Sequence, residues 1–397
     1  MADLLSIEKA QRLILERCSP LPDEVLPIDA ATGRILAESA VATVDLPPFA
    51  SSAMDGYAVR AADTPGELAI AGHVAAGRPA EAALDAGHAI GIATGGAVPD
   101  GADAVVPIEI VAVTDNKVTI GDAAPRGANI RPRGGDVRAG DVVVEAGERL
   151  TAARLGAIAA AGIAEVRCAR RPRAAVVPTG TELRAPGEVL APGEIYEANG
   201  LILAAQLASA GATVQRGRPV GDDEGEHRAA LAGALDADLV VTSGGVSVGP
   251  HDLVRRVERE LGVEEVFWRV AVKPGKPISF GVRGKTLIFG LPGNPVSALV
   301  GFELFVRPAV LALQGAREPL PFFLRGRLAA ARRRNPERDE LVRARARVDD
   351  EGVVLEPLGG QESHMIGRAA GADALVFVPR GDGELATGSS VRYLTLA

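Results

Sequence analysis

Between residues 171 and 318, runs of consecutive apolar residues alternate with amphipathic segments, and this alternation constrains the fold more than any other feature of the chain. The apolar runs, such as AAVVPTG at 174–180 and DLVVTSGG at 238–245, are unbroken, which is typical of strands buried on both faces. The segments between them, such as LILAAQLASAG at 201–211 and LVRRVERELG at 253–262, have helical spacing. The pattern predicts a doubly wound α/β domain, in which ligands bind at the carboxyl ends of the strands.

The rest of the chain predicts three further domains. Residues 45–137 are short apolar runs broken by Gly, Pro and Asp, which predict a β-rich domain. Helical and strand patterns at 1–44 and 138–170 flank it, so it is interpreted as an insertion into an elongated, discontinuous first domain. The short alternating runs of residues 319–397 predict a small C-terminal β-domain.

Two helices are predicted in the first domain, the first of them from the helical spacing of its apolar and charged residues. One runs from Ser6 to about Cys18. The other covers 148–165, with Thr151 as the N-cap and Gly162 as the stop.

Composition excludes several classes of function. The net charge is −8, from 43 Lys and Arg against 51 Asp and Glu, so nothing indicates a nucleic-acid or membrane-surface partner. Cys18 and Cys168 have no metal or redox spacing, the N-terminus is not a signal peptide, and no apolar stretch is expected to reach the roughly 20 residues of a membrane span. We expect a soluble, cytoplasmic protein.

The histidines also lack the spacing of a zinc site, so any metal would be held by carboxylates. Such a ligand set favours Mg²⁺.

The segment 238–252, DLVVTSGGVSVGPHD, is the most informative candidate site. A strand enters a Ser/Gly loop there, and a helix starts near Asp252. The backbone amides of this loop, which contains Gly244, Gly245 and Ser247, together with the helix N-terminus, are suited to binding an anion. A tight strand-to-helix turn with Asp252 as a simple N-cap explains the segment equally well.

Two Pro/Gly corners follow the next strands. In KPGKP, Lys273 and Lys276 flank a glycine, and the prolines direct both cations toward the same end of the sheet, which favours a functional role. Asn294 and Ser297 follow GLPG and open a long helix, where helix capping alone would explain them.

Four other polar residues stand in Gly-containing turns. Glu182 follows the first α/β strand, where tuning of a helix dipole would explain it. Asp55, Thr94 and Asp136 lie in the β-rich insertion, where turn geometry would account for the carboxylates.

Taken in order, these segments resemble the molybdopterin molybdenumtransferase family, to which the C-terminal domain of gephyrin is related. The resemblance extends from residue 45 to about 308 and is carried by LPPFASSAMDGYAVR, TGGAVPDGADAVVPIE, GANIRPRGGD, RPRAAVVPTGTEL, SGGVSVGPHD, KPGKP and GLPGNPVSA. The last domain resembles the family more weakly, through the Arg343 region and QESH at 361–364.

The resemblance implies an enzyme that inserts molybdate into adenylyl-molybdopterin with release of AMP, in a homodimer whose inserted domain faces the partner's α/β domain. It places active-site groups at seven positions: Asp55, Thr94, Asp136, Glu182, Asp222, Asp252 and Lys273. It assigns molybdate to Lys273, Lys276, Arg343 and Ser363. Further partners expected from the family are molybdopterin adenylyltransferase and the molybdoenzymes.

Both substrates are anions, so the carboxylates expected at the site need a cation between them and the phosphates. We therefore expect Mg²⁺ at Asp55, Asp136, Glu182 and Asp252.

The chain departs from the family pattern at three places. Arg269 stands where Lys is common, Glu362 replaces the Gly of a QGS motif, and 178–180 is Pro-Thr-Gly rather than Ser-Thr-Gly. The first two bear on the molybdate pocket.

Two alternative functions are weighed against this one. A non-catalytic, gephyrin-like scaffold would need only the Gly/Pro framework, whereas this chain also has the carboxylates and lysines. A molybdopterin adenylyltransferase would share the GGVS loop but not the inserted and C-terminal domains.

Overall fold

The computed structural model describes residues 4–245 and 253–396. The chain forms two compact units. The large unit contains Met1–Glu24 and Ala169–Ala397, and the small unit is Val25–Cys168.

Seven of the eight α-helices of the described residues overlap predicted helical segments, and the short helix Ile366–Ala369 has no predicted counterpart. They are α1 Ile7–Leu15, α2 Ala152–Ala160, α3 Asn199–Ser209, α4 Glu224–Ala234, α5 Leu253–Glu260, α6 Pro295–Gly301, α7 Arg307–Leu313 and α8 Ile366–Ala369. A π-helical segment, Phe302–Val306, joins α6 to α7. The predicted cap Thr151 is confirmed, because its side chain accepts a hydrogen bond from the Arg154 N–H in the first turn of α2. Ser6, where the first helix was expected to begin, caps α1 in the same way. Gly162 follows α2 with φ 80°, a conformation that glycine adopts without strain.

A six-stranded central sheet forms the core of the large unit. In spatial order its strands are Thr213–Arg216, Arg173–Pro178, Leu239–Ser243, Thr286–Leu291, Ser279–Arg283 and Glu264–Trp268. The first four strands are parallel to one another, which confirms the doubly wound α/β expectation. Ser279–Arg283 is antiparallel to both of its neighbours in the sheet.

The apolar run VFWRVAV at 266–272 predicts one strand, whereas no pattern predicts the strand Ser279–Arg283. The chain breaks at Arg269, whose φ of 78° interrupts the extended backbone.

Both faces of this sheet are covered, which explains why its strands have unbroken apolar sequences. Val176 packs into one hydrophobic cluster, whereas Ala175 and Val177 pack into another on the opposite face. The first cluster also receives Ile7 and Ile14 of α1. The described residues 4–24 therefore pack with the large unit.

The longest helical stretch, Pro295–Leu313, is long and apolar enough to cross a membrane by length and composition alone. This contradicts the expectation that no stretch of the chain reaches that length. However, 78% of its apolar window is buried inside the protein, as in a core helix.

The C-terminal part of the large unit is a small closed barrel. Its strands, in order around the barrel, are Asp339–Asp349, Gly352–Pro357, Leu324–Leu328, Ser390–Thr395 and Ala374–Val378. The first and last of them pair with each other, which closes the ring. The two-residue strand Val272–Lys273 ends at the first residue of KPGKP. It pairs in parallel with the start of the barrel strand Asp339–Asp349. This pairing ties the turn to the barrel.

The small unit is built on another six-stranded sheet. In spatial order its strands are Ala104–Pro107, Gly56–Val59, His88–Ile92, Gly66–Val74, Lys117–Ile120 and Val111–Thr114. The structure therefore confirms that the region predicted as an insertion is rich in β-strands.

Candidate active site at the carboxyl ends of the central sheet

A cleft of about 250 Å³ opens in the large unit where three parallel strands of the central sheet end. We call it the strand-end cleft. Its polar lining consists mainly of Thr179, Glu182, Asn199, Ser243, Asn294 and His364. The cleft lies where a doubly wound sheet is expected to bind its ligand.

Asn199, the first residue of α3, braces the floor of the strand-end cleft. Its side-chain amide donates to the Ser243 hydroxyl at 2.8 Å and to the Gly293 carbonyl at 2.7 Å. One side chain thus connects the ends of two neighbouring strands. Asn199 is not predicted from the sequence, because a polar residue at a helix start gives no indication of a partner far along the chain.

Glu182 lies in the cleft, as predicted, and its carboxylate folds back over Gly180. A Cβ atom on Gly180 would lie only 2.5 Å from a carboxylate oxygen, and the φ of 151° also favours glycine there. The next residue, Thr181, donates weakly to Asp222 across 3.4 Å. The structure therefore brings the Glu182 and Asp222 loops together.

The KPGKP turn lies against the start of α6, since a Cβ on Gly275 would contact the Ser297 backbone at 3.5 Å. The ammonium of Lys273 is 3.2 Å from a carboxylate oxygen of Glu340, a barrel residue that the sequence analysis did not single out. Lys276 is half-buried, and its ammonium has no partner among the described residues. It is therefore a cation available to a ligand.

Asn294 and Ser363 connect the GLPGNP corner to the barrel. The Asn294 amide donates to the Ser363 hydroxyl at 2.8 Å, and the Val296 N–H donates to the Ser363 carbonyl at 3.1 Å. Asn294 stands at the N-cap position of α6, but its side chain makes no capping hydrogen bond. The helix-capping explanation therefore does not account for its side chain. Ser297 is buried one turn further on.

Arg343, expected to contact molybdate, is 1% exposed and is engaged with its own domain. Its guanidinium donates to the carbonyls of Met365 at 2.7 Å, Gly360 at 2.8 Å and Glu362 at 3.2 Å. Burial lowers the pKa of Arg343, although the nearby Glu362 carboxylate opposes this. These contacts make Arg343 a support for the loop that carries Ser363. The carboxylate-bearing Glu362 itself is exposed.

In the small unit, the predicted residues Asp55 and Thr94 are in direct contact. The Thr94 N–H donates to the Asp55 carboxylate at 2.6 Å. Hydrogen bonds from the backbone and side chain of Thr94 hold the pKa of Asp55 below its ordinary value. The carboxylate of Asp136 is exposed and has no partner among the described residues.

Part of the predicted anion-binding loop lies outside the described residues. Ser247 and Asp252 fall in the segment 246–252, whereas Gly244 and Gly245 end the preceding stretch. Within 4–245 and 253–396, no three His, Cys, Asp or Glu side chains are grouped so that they could hold a metal ion. The expected magnesium ligands Asp55, Asp136 and Glu182 do not form such a group in the described chain.

Comparisons with known proteins cover almost the whole chain. Three family models match consecutive regions: the MoeA N-terminal region (domain I and II) at 5–162, a probable molybdopterin binding domain at 175–312, and the MoeA C-terminal region (domain IV) at 325–396. The first spans the predicted insertion and its flanks.

The similarity to individual proteins is equally extensive. Molybdopterin molybdenumtransferase 2 of Mycobacterium tuberculosis is 38% identical, over 98% of this chain and 99% of the relative. Molybdopterin molybdenumtransferase of Haemophilus influenzae is 35% identical, over 98% of each. A crystal structure of a Pyrococcus horikoshii molybdopterin biosynthesis MoeA protein superposes with a TM-score of 0.86 at 27% identity, covering 99% of this chain and 100% of the other. The chain therefore belongs to the molybdopterin molybdenumtransferase family.

Proposed function

We propose that this chain inserts molybdate into adenylyl-molybdopterin with release of AMP, as a transferase of molybdenum-cofactor biosynthesis. The observation that carries the proposal is the strand-end cleft, which gathers Glu182, Asn199 and Asn294 where a doubly wound sheet binds its ligands. In this reaction water cleaves the phosphoanhydride to give AMP. The two dithiolene thiols bind the molybdenum of molybdate, and one molybdate oxygen leaves with the two thiol protons as water.

The reaction brings two anions together on a chain whose net charge is −8. Positive side chains near the site would reduce the repulsion between them. Lys276 has no competing partner among the described residues, and Lys273 lies three residues before it on the same turn. The turn that carries them lies against the start of α6 at Gly275, and the two cations can attract a tetrahedral dianion. Ser363, held by Asn294, supplies a hydroxyl donor on the barrel side.

We propose Mg²⁺ as the cofactor. Mg²⁺ is commonly held by one or two carboxylates together with substrate phosphates and water, so a cluster of three protein ligands is not required. The Glu182 carboxylate in the cleft and the neighbouring Asp222 fit this preference. Mg²⁺ would neutralise phosphate charge beside these carboxylates.

A cytoplasmic homodimer completes the proposal. Asp55, Thr94 and Asp136 belong to the small unit, and a shared site in a dimer would bring them to a partner's large unit.

The test is AMP release by purified protein supplied with adenylyl-molybdopterin, Mg²⁺ and molybdate. We expect AMP and mature cofactor in a molybdate-dependent reaction. Activity only with ATP and free molybdopterin would indicate an adenylyltransferase instead, and no turnover in either assay would favour a scaffold.

The matched variants are Lys276→Ala and Lys285→Ala. Lys285 is exposed on the turn between two strands of the central sheet, at the opposite end from the cleft. Lys276→Ala should raise the half-saturating molybdate concentration by roughly tenfold or more, which corresponds to about 1.4 kcal/mol. Lys285→Ala should leave it unchanged, and equal effects of the two variants would remove Lys276 from the site.

A further inference from the structure

We infer that Glu340 is a positioning residue, which holds the ammonium of Lys273 in the direction that the reaction needs. The inference rests on the proposed function and deepens it, because it assigns a task to a barrel residue that contacts neither substrate. Glu340 and Lys273 form an ion pair in which the carboxylate is buried and the ammonium is partly exposed.

The backbone fixes this pair in register. Lys273 and Glu340 are direct neighbours in the parallel pairing of Val272–Lys273 with the barrel strand. The Lys273 ammonium lies 3.2 Å from the Glu340 carboxylate. Because both residues belong to hydrogen-bonded strands, the carboxylate defines where the lysine side chain points.

The burial of the two partners is unequal. Glu340 is 4% exposed, whereas the side chain of Lys273 is 42% exposed. The carboxylate is thus fixed inside the protein, and the lysine reaches from it toward solvent at the KPGKP turn. A buried anchor with an accessible cation is the arrangement expected when the cation must meet a ligand in a fixed orientation.

A second cation completes the cluster. Arg332 also donates to Glu340, at 2.9 Å, so one buried carboxylate serves two positive side chains. The three groups carry a formal charge of +1 together. The cluster therefore satisfies the buried carboxylate and still leaves a positive charge beside the proposed oxyanion site.

Stability alone is a weak reason for such a cluster. Burial of an ion pair costs desolvation that its attraction often only just repays, so apolar residues would serve a merely structural contact as well. The matched comparison is Glu303, whose carboxylate pairs with Arg307 at 2.6 Å in the Pro295–Leu313 helical stretch. Glu303→Gln removes a partly buried ion pair of the same unit without touching Lys273.

The experiment measures Lys273 directly, by limited acetylation followed by peptide mass spectrometry. The remaining lysines, Lys9, Lys117, Lys276 and Lys285, serve as internal references. Glu340→Gln should raise the acetylation rate of Lys273 by about threefold or more, because the amine is no longer held against a carboxylate. Glu303→Gln should leave that rate unchanged. This readout needs no activity, so it decides the positioning role even if wild-type protein releases no AMP and the proposed function fails.

The kinetic arm uses the same variants. Glu340→Gln should raise the half-saturating molybdate concentration by roughly tenfold, with a smaller change in the maximal rate. Glu340→Asp keeps the charge on a shorter side chain and should lie between wild type and Glu340→Gln in both readouts. It also keeps the test open if Glu340→Gln does not fold. Wild-type acetylation of Lys273 in a folded Glu340 variant would overturn the inference, as would an unchanged molybdate dependence in an active one.

Discussion

The side-chain amide of Asn294 donates a 2.8 Å hydrogen bond to the hydroxyl of Ser363, and this bond joins the corner before α6 to the loop that precedes α8. A double-mutant cycle should detect it. Asn294→Ala and Ser363→Ala should each lower the free energy of unfolding by about 1 kcal/mol, the usual net value of one such bond. The double variant should lose less than the sum of the two, since either substitution removes the same bond. Chemical denaturation of the four proteins measures this coupling, and strict additivity would show that the bond contributes nothing.

Gly180→Ala should damage catalysis more than folding. The new methyl group would meet the Glu182 carboxylate at 2.5 Å and force it away from its position in the cleft. We expect AMP release to fall about tenfold or more, at the level of a misplaced catalytic group. Gly187→Ala is the control, because Gly187 also has a positive φ, 97°, but has open space around its Cβ position. If both variants lose the same activity, backbone strain rather than Glu182 is responsible.

Arg343→Lys separates charge from support. The arginine satisfies three backbone carbonyls, and lysine keeps the positive charge without the planar set of donors. We expect Arg343→Lys to lower the free energy of unfolding by about 2 kcal/mol, and we expect Arg343→Lys and Arg343→Ala to raise the molybdate requirement to the same extent. The measurements are denaturation and molybdate-dependent AMP release. Wild-type molybdate dependence in Arg343→Lys would instead indicate that the charge itself acts on the oxyanion.

The strands of the central sheet were predictable because strands buried on both faces consist largely of consecutive apolar residues. Each segment has consecutive apolar residues, Ala174–Val177 in the first and Leu239–Val241 in the second, and the strand bounds follow closely. The break at Arg269 was not predictable, because a left-handed conformation at an arginine has no residue-type signal. Because of this break, the strand predicted at 266–272 becomes two strands, and the second of them, Val272–Lys273, pairs with the barrel.

The candidate site was predictable only in part. Gly and Pro punctuation located the corners that carry Glu182, Lys273 and Asn294. Their partners were not predictable, since Ser363 lies 69 residues from Asn294 and nothing in either segment indicates the other. Arg343 shows the same limit, because its motif does not reveal that backbone carbonyls already occupy the guanidinium.

Asp238 should make the large unit sensitive to acid. Burial raises the pKa of Asp238, but hydrogen bonds from the Arg170 guanidinium and the Arg173 N–H together bring it below its ordinary value. A lowered pKa in the folded protein means that the stabilisation is complete above about pH 4 and is lost as the pH falls further. Asp238→Asn should therefore lower the free energy of unfolding by about 1–2 kcal/mol at pH 7. The difference from wild type should shrink toward pH 2 in denaturation experiments, and a constant difference at every pH would contradict the ion pair.

Light scattering tests the proposed homodimer. The molar mass of the purified protein should be about twice the 40.8 kDa mass of the chain. Mixing an inactive Asp55→Ala chain with an inactive Glu182→Ala chain should then restore part of the activity, because one of the two shared sites would be intact. A fully active monomer would rule out shared sites.

The chain enters and leaves the small unit through the strands Asp23–Pro27 and Glu165–Ala169, which pair with each other. The Ile28 N–H even donates to the Ala164 carbonyl at 3.0 Å, so the two ends of the unit are neighbours. An element attached by adjacent ends can be cut out and closed by a short turn, or exchanged for a homologous one, without stretching the chain on either side. Chimaeras that swap Val25–Cys168 between relatives should therefore fold. We therefore expect the two units to be genetically separable, although the polypeptide passes between them twice.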